Sequence, residues 1–172
     1  MALDVLANRL GAKFKSHRAG AAVAEGRLRF TKNGEPHEAK LILAKPACFM
    51  NLSGRPVSAL LKFFDLPITS LIVLHDELDV PAETVRLKQG GGHAGHNGLR
   101  DIIATCASNE FARVRIGIGR PPGSMDTADF VLRNFSSTER KELPVTLEIA
   151  ADAVEAIVAD GVALASGRFH TA

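Results

Sequence analysis

The stretch that decides the fold is Leu71-Ile72-Val73-Leu74, which runs directly into His75-Asp76-Glu77-Leu78-Asp79. Four consecutive apolar residues are typical of a strand that is covered on both faces. Other strand-like and helical segments alternate on either side of it, and the chain shows no internal repeat and no linker-like tract. We therefore predict one α/β domain over residues 1–172, with a twisted, mostly parallel or mixed sheet flanked by helices.

The flanking segments can be assigned from their hydrophobic periodicity. Alternation predicts strands over residues 21–31 and 37–44, which the dipeptide Asn33-Gly34 should join as a hairpin. Further strands are expected over residues 84–88 and 113–119, and helices over residues 1–10, 56–64 and up to about 106. Ser136 and Glu139 form a capping box ahead of a last helical region. That region should run to Gly161, with an interruption or bend near Pro144.

Composition restricts the class of protein. Of the 172 residues, 46% are hydrophobic, which is enough for a core, and the formal charge of +2 is too small to indicate nucleic acid by itself. No apolar run approaches the roughly 18 residues needed to cross a bilayer. Met1-Ala2-Leu3-Asp4 has an acid where a signal peptide would be basic. Cys48 and Cys106 are expected to be reduced thiols, so a cytoplasmic location without membrane contact is predicted.

Polar residues cluster where three of these segments end. The clusters are Asn51 with Ser53, the run from His75 to Asp79, and the run from His93 to Asn97. Ligands of open α/β sheets bind beyond the carboxyl ends of strands, so we predict that Phe49, Asn51, Asp76 and Asn97 line one cleft. Each cluster alone has a simpler explanation, because Asn51 and Ser53 could cap the next helix and Asp76 and Asp79 could be solvated turn residues.

The glycine-rich segment Gly90 to Gly98 allows two other readings. Gly90, Gly92 and Gly95 fit the dinucleotide-binding pattern G-x-G-x-x-G, although His93, His96 and Asn97 would crowd a pyrophosphate. Glycines here could instead let the backbone pass close to a bulky ligand. The histidines and acids of the two clusters could also hold zinc or manganese, but none has a recognised ligand spacing.

The basic residues of two strands have a regular phase. Arg86 and Lys88 are two positions apart, as are Arg113 and Arg115, so each pair should lie on one side of its strand. Neighbouring strands with such pairs would form an anion site suited to a phosphate. A solvated face neutralised by Glu83 and Glu110 is the alternative.

Four segments together resemble the signatures of the bacterial-type peptidyl-tRNA hydrolase family. They are Lys45 to Gly54, His75 to Asp79, Gly90 to Asp101 and Arg113 to Gly119. They occur in the order and spacing of that family, and the resemblance covers essentially the whole chain. Four long motifs in register are far more specific than the glycine pattern alone.

The resemblance implies hydrolysis of the ester that joins a peptide to the 3′-terminal ribose of tRNA, without a metal or organic cofactor. It implies that a histidine activates water and that Asp76 steadies this histidine. Asn51 and Asn97 would hold the substrate, with Phe49, Met50 and His96 beside it, and Lys88 and Arg115 would bind the 5′-phosphate. The implied partner is peptidyl-tRNA, at its acceptor stem and 3′ end, and the protein would be monomeric. A non-catalytic tRNA- or ribosome-binding relative is the alternative, and a metal-dependent hydrolase is the third.

The start of the chain departs from the family pattern. The family opens with a buried strand, a Gly-Asn-Pro-Gly turn and a Thr-Arg-His-Asn loop, whereas Met1-Ala2-Leu3-Asp4 already reads as the following helix. The catalytic histidine and the asparagine that discriminates blocked from free aminoacyl ends have no counterparts. We therefore expect that further residues precede Met1 in the natural protein and that residues 1–172 alone hydrolyse little substrate.

Overall fold

The computed structural model describes residues 1–170, which form an α/β fold. Its strands are β1 (Lys15–His17), β2 (Ala21–Lys32), β3 (Glu35–Pro46), β4 (Ile72–Glu77), β5 (Val85–Gln89) and β6 (Ala112–Gly117). Its α-helices are α1 (Ala2–Leu10), α2 (Gly54–Phe63), α3 (Asn97–Cys106), α4 (Thr127–Leu132) and α5 (Ser137–Phe169). Two 3-10 turns, Met50–Leu52 and Ile68–Ser70, precede α2 and β4.

The first sheet has the order β1-β2-β3 and is antiparallel throughout. Strands β2 and β3 pair without a break from Ala21↔Pro46 to Lys32↔Glu35. The turn between them places Asn33 at φ 52 and Gly34 at φ 78. Two successive positive φ values are what a two-residue hairpin turn requires, so the predicted hairpin is confirmed.

The second sheet has the order β4-β6-β5. Hydrogen bonds from Ala112 N to Leu71 O and from Ile118 N to Glu77 O advance in the same direction along β4 and β6, which makes that pair parallel. Bonds from Gly117 N to Thr84 O and from Gly90 N to Phe111 O make β6 and β5 antiparallel. The predicted α/β class with a mixed sheet is therefore confirmed. The strands of the described residues are divided between these two sheets.

The described chain forms two compact units. The first unit contains Leu3–Val73 and Gln89–Ala112, and the second contains Leu74–Lys88 and the chain from Arg113 onward. In the first unit, Leu99, Ile102 and Phe111 form a buried cluster, and a second cluster joins Ala21 and Val23 of β2 to Leu60 of α2. In the second unit the buried residues include Val85, Leu87, Val114 and much of α5. The assignment of residues 1–172 to one domain stays a prediction.

Helix ends follow local sequence. The Ser136–Glu139 capping box is present in full at the start of α5. The expected interruption near Pro144 was wrong, because Gly161 is the residue inside α5 with non-helical geometry, at φ 79 and ψ 166. Glycine adopts positive φ without a steric penalty, so the chain bends there. Helix α1 begins after Met1 with no side-chain cap.

Within residues 1–170, no helix has the length and apolar character needed to cross a membrane.

Candidate functional site

The first polar cluster lies on the 3-10 turn ahead of α2. Phe49 is extended and 82% exposed, Met50 is 45% exposed, and Asn51 is exposed. Ser53 does not cap α2 with its side chain, since its hydroxyl donates to Met50 O at 2.6 Å. The explanation of Asn51 and Ser53 as helix caps is therefore wrong, and the Asn51 amide lies at the surface.

The cap of α2 comes from α3. The Asp101 carboxylate accepts a hydrogen bond from Gly54 N, with 2.7 Å between the two atoms. The helices approach so closely that a Cβ atom at Gly54 would lie 2.4 Å from both Asp101 O and Thr105 Oγ1. Asp101 thus ties the start of α2 to the body of α3, and the turn that carries Asn51 is held at this junction.

The third polar cluster reaches the same place through the glycine-rich segment. Gly90, Gly91 and Gly95 all have positive φ, so the backbone takes turns that other residues rarely adopt. His96 ends this segment as the N-cap of α3, where its Nδ1 accepts from Leu99 N at 3.1 Å. That acceptor role explains a histidine at this position without any ligand.

Contacts at Gly98 join the first and third clusters. A Cβ atom there would lie 2.9 Å from Met50 Cγ and 2.9 Å from His96 Cε1. Only glycine allows the 3-10 turn to pack this closely against the start of α3. Within the first unit, the chain therefore brings the residues around Asn51 next to those around Asn97, although 46 positions separate the two in sequence.

The second polar cluster lies at the end of β4, in the second unit. His75 is 7% exposed, and its Nδ1 lies 2.7 Å from Asp76 O. Asp79 forms an ion pair with Arg120, which fits the alternative of a turn residue rather than a site residue. Asp76 is half-buried. Its membership of one cleft with Asn51 and Asn97 stays a prediction.

The cations of β5 and β6 have the predicted phase. Val85 and Leu87 are buried, whereas Arg86 is half-buried and Lys88 is exposed on the other side of β5. On β6, Arg113 is 2% exposed, and burial, together with the charge of Arg115, lowers the pKa of its guanidinium. The Nε atom of Arg115 is buried and has no hydrogen-bond partner among the described residues. Cations on two neighbouring strands, one of which has a buried donor without a partner among the described residues, suit an anion.

One residue of this region could not be found from the sequence. His170, at the end of α5, accepts a hydrogen bond at Nε2 from Leu87 N, 2.8 Å away. Partial burial lowers the pKa of His170, and the charges of Arg86 and Arg115 lower it further. A contact between positions 87 and 170 leaves no local pattern in the sequence.

No cluster of three or more His, Cys, Asp or Glu side chains placed to hold a metal ion occurs within residues 1–170. The histidines and acids at the ends of β4 and of the glycine-rich segment are instead engaged in turns, caps and ion pairs.

Comparisons with known proteins agree on one family. The family model described as peptidyl-tRNA hydrolase matches residues 1–172. A peptidyl-tRNA hydrolase of Arthrobacter sp. is 54% identical over 172 residues, which are 100% of this chain and 86% of that protein. One of Frankia casuarinae is 54% identical over 99% of this chain and 82% of its own length. The crystal structure of peptidyl-tRNA hydrolase from Acinetobacter baumannii matches with a TM-score of 0.81 and 32% identity, covering 99% of this chain and 83% of that one. The resemblance seen in the four sequence motifs is thereby confirmed, and the chain belongs to the peptidyl-tRNA hydrolase family.

Proposed function

We propose how the residues of this chain serve the hydrolysis of peptidyl-tRNA, the reaction to which its family membership assigns it. The observation that carries the assignment is the match of the family model to residues 1–172. Hydrolysis breaks the ester between peptide and tRNA, so the tRNA returns to use. A non-catalytic relative and a metal-dependent hydrolase, the two alternatives, are not favoured by the 54% identity to a peptidyl-tRNA hydrolase.

Asn51 and Asn97 hold the peptide end of the substrate in this proposal. An amide side chain offers both a donor and an acceptor, so a pair of them can engage a peptide main chain or orient a water molecule. The packing of Met50 against Gly98 supports this role, because it fixes the segments that carry both amides. The exposed Phe49 and Met50 supply apolar surface beside them, and His96 shapes the loop from its capping position.

Asp76 is the carboxylate that steadies the water-activating histidine. A carboxylate that accepts an imidazole N–H selects the tautomer whose other nitrogen can take a proton from water. The water then attacks the ester carbonyl, the bond from the carbonyl carbon to the ribose oxygen breaks, and the histidine returns the proton to the ribose hydroxyl of the departing tRNA.

Lys88 and Arg115 bind the 5′-phosphate of the tRNA. Their positions on β5 and β6, and the buried Nε of Arg115 without a partner, support an anion at this place. Contact with the acceptor stem and the 3′ end, a monomeric state and a cytoplasmic location complete the proposal.

Turnover of a peptidyl-tRNA by the purified protein tests the amide roles. Asn51→Ala and Asn97→Ala should each lower kcat/KM by about 10- to 100-fold, which corresponds to about 1.4–2.7 kcal/mol. Asn8→Ala, an exposed amide of α1 outside the proposed site, is the matched control and should change kcat/KM little. Equal effects of all three variants would remove the special role of Asn51 and Asn97.

Binding of tRNA with and without its 5′-phosphate tests the anion site. Lys88→Ala or Arg115→Ala should weaken binding of the phosphorylated tRNA by about 1–3 kcal/mol, the range of a charge-assisted hydrogen bond. Binding of the dephosphorylated tRNA should change much less. Lys141→Ala, an exposed cation of α5, controls for general electrostatics. Equal losses for both tRNAs would contradict a phosphate clamp.

A further inference from the structure

Leu87 lies between the two cations of β5, Arg86 and Lys88, and its backbone N–H points away from the neighbouring strand β6. In the antiparallel pair β5–β6, Thr84 and Gly90 exchange bonds with β6, so the even-numbered residues of β5 face that strand. The N–H of Leu87 therefore points to the outer edge of β5, which is an edge strand in the order β4-β6-β5. An edge N–H without a partner in the sheet needs another acceptor.

The acceptor is the imidazole of His170. Its Nε2 lies 2.8 Å from Leu87 N. The backbone N–H of His170 donates to Ser166 O as α5 ends. The segment that carries it is anchored, because Ala165 is 0% exposed and Arg168 pairs with Asp160 across the bend at Gly161. His170 thus reaches β5 from a fixed position.

We propose that His170 is a positioning residue of the anion site: its neutral imidazole holds the edge of β5 at Leu87 and so sets the positions of Arg86 and Lys88. This inference rests on the proposed binding of the tRNA 5′-phosphate by Lys88 and Arg115. His170 does not touch the phosphate in this arrangement; it acts through the backbone of β5.

Only the neutral imidazole can do this, since protonation turns both ring nitrogens into donors. The charged groups that face His170 are Arg86 of β5 and Arg115 of β6, and both lower its pKa. On its own helix, Arg168 is already paired with Asp160. The bond is intact above the ordinary histidine pKa of about 6.5 and is lost as the pH falls through the lowered pKa of the folded protein.

Two substitutions distinguish a side chain that can accept a hydrogen bond from Leu87 N from one that cannot. In His170→Gln, the amide Oε1 can occupy the place of Nε2 and accept from Leu87 N, but it cannot be protonated. In His170→Asn, the amide is one bond shorter and cannot reach. The full chain of residues 1–172 is used throughout, with 5′-phosphorylated and dephosphorylated tRNA as probes at pH 7.5 and at a series of lower pH values.

The first readout is hydrogen exchange at the Leu87 amide. Its protection should be high in the unmodified protein and in His170→Gln at pH 7.5, and lost in His170→Asn. The second readout is the preference for phosphorylated over dephosphorylated tRNA, which His170→Asn should reduce by about two- to tenfold, the factor expected of one hydrogen bond. His170→Gln should keep that preference.

Positioning by the neutral imidazole and direct attraction of the phosphate by an imidazolium predict opposite effects of pH on the preference for phosphorylated tRNA. As the pH falls from 7.5 through the lowered pKa of His170, the preference should fall in the unmodified protein relative to His170→Gln, in which the phosphate titrates alike but the bond persists. A rise relative to His170→Gln would show that the imidazolium binds the anion directly, and would overturn positioning.

Lys88→Ala separates this inference from the proposed anion site. If Lys88→Ala abolishes the preference and His170→Asn leaves it unchanged, the anion site stands and the role of His170 is wrong. If Lys88→Ala has no effect on the preference, the anion site is wrong and the inference fails with it, whatever the protection at Leu87.

Discussion

Replacement of Gly54 by Ala tests the junction that carries Asn51. A Cβ atom at this position would lie 2.4 Å from Asp101 O and from Thr105 Oγ1, whereas ordinary contacts begin at 3.4 Å. One of these atoms is backbone, so α2 and α3 must separate by about 1 Å, and overpacking of this kind costs about 1–3 kcal/mol. The separation also stretches the 2.7 Å bond from Gly54 N to Asp101, which is worth about 1–3 kcal/mol to a charged acceptor.

Better helix propensity offsets part of this loss, because Ala is favoured over Gly by about 1 kcal/mol in a helix. The free energy of unfolding should therefore fall by about 2–4 kcal/mol, which is a large part of the roughly 5–15 kcal/mol that stabilises a domain. For a chain of this length, Tm should drop by roughly 5–15 °C. Denaturant unfolding followed by circular dichroism measures the change.

The matched control is Gly167→Ala. This glycine also lies in a helix, α5, but nothing lies within 4 Å of a Cβ atom there. Its replacement should raise the free energy of unfolding by about 0.5–1 kcal/mol. If Gly54→Ala were as stable as Gly167→Ala, the close approach of α2 and α3 would not exist as described.

Three further predictions concern the core, the start of α5 and the thiols. Phe111→Ala should lower the free energy of unfolding by about 3–5 kcal/mol, because the ring is 0% exposed within its cluster; a loss below about 1 kcal/mol in denaturant unfolding would contradict this. Hydrogen bonds from Arg133 hold the pKa of Glu139 at about 2, so the contribution of this carboxylate to stability is complete above pH 4.5 and is lost as the pH falls towards 2. The difference in the free energy of unfolding between the unmodified protein and Glu139→Gln should therefore shrink over that window. A constant difference would refute the pairing. Burial raises the pKa of the Cys106 thiol while Cys48 is exposed, so an alkylating reagent at pH 8 should modify Cys48 first, as mass spectrometry of Cys48→Ser and Cys106→Ser would show.

Local patterns were enough to predict most elements of the fold. Alternation and the Asn33-Gly34 turn predicted the hairpin of β2 and β3 to within two residues at each strand end, because hairpin pairing depends on neighbours in sequence. Helix α4 was missed although Asp126 caps it by accepting from the N–H groups of Ala128 and Asp129. Its six residues are too few for a clear period, and the cap was the signal that could have found it.

The candidate site could likewise be predicted only where local sequence decides the structure. The motifs placed Asn51 and Asn97 correctly on a turn before a helix and at a helix start, because those placements follow from glycines and caps nearby. Which residues meet across the chain could not be predicted. Gly54 with Asp101, and Leu87 with His170, are 47 and 83 positions apart, and packing decides such contacts.

The strand order β4-β6-β5 has a consequence for synthesis on the ribosome. The strand that lies in the middle of this sheet is the last of the three to be made, since β6 ends about 40 residues after β4. At about 5–20 residues per second, the nascent chain carries β4 and then β5 for several seconds without the strand that belongs between them. During that interval their open edges can pair only wrongly, with each other or with another chain. Newly made protein is therefore most exposed to aggregation just before Ala112–Gly117 emerges, and chaperones that shield strand edges would act in that interval.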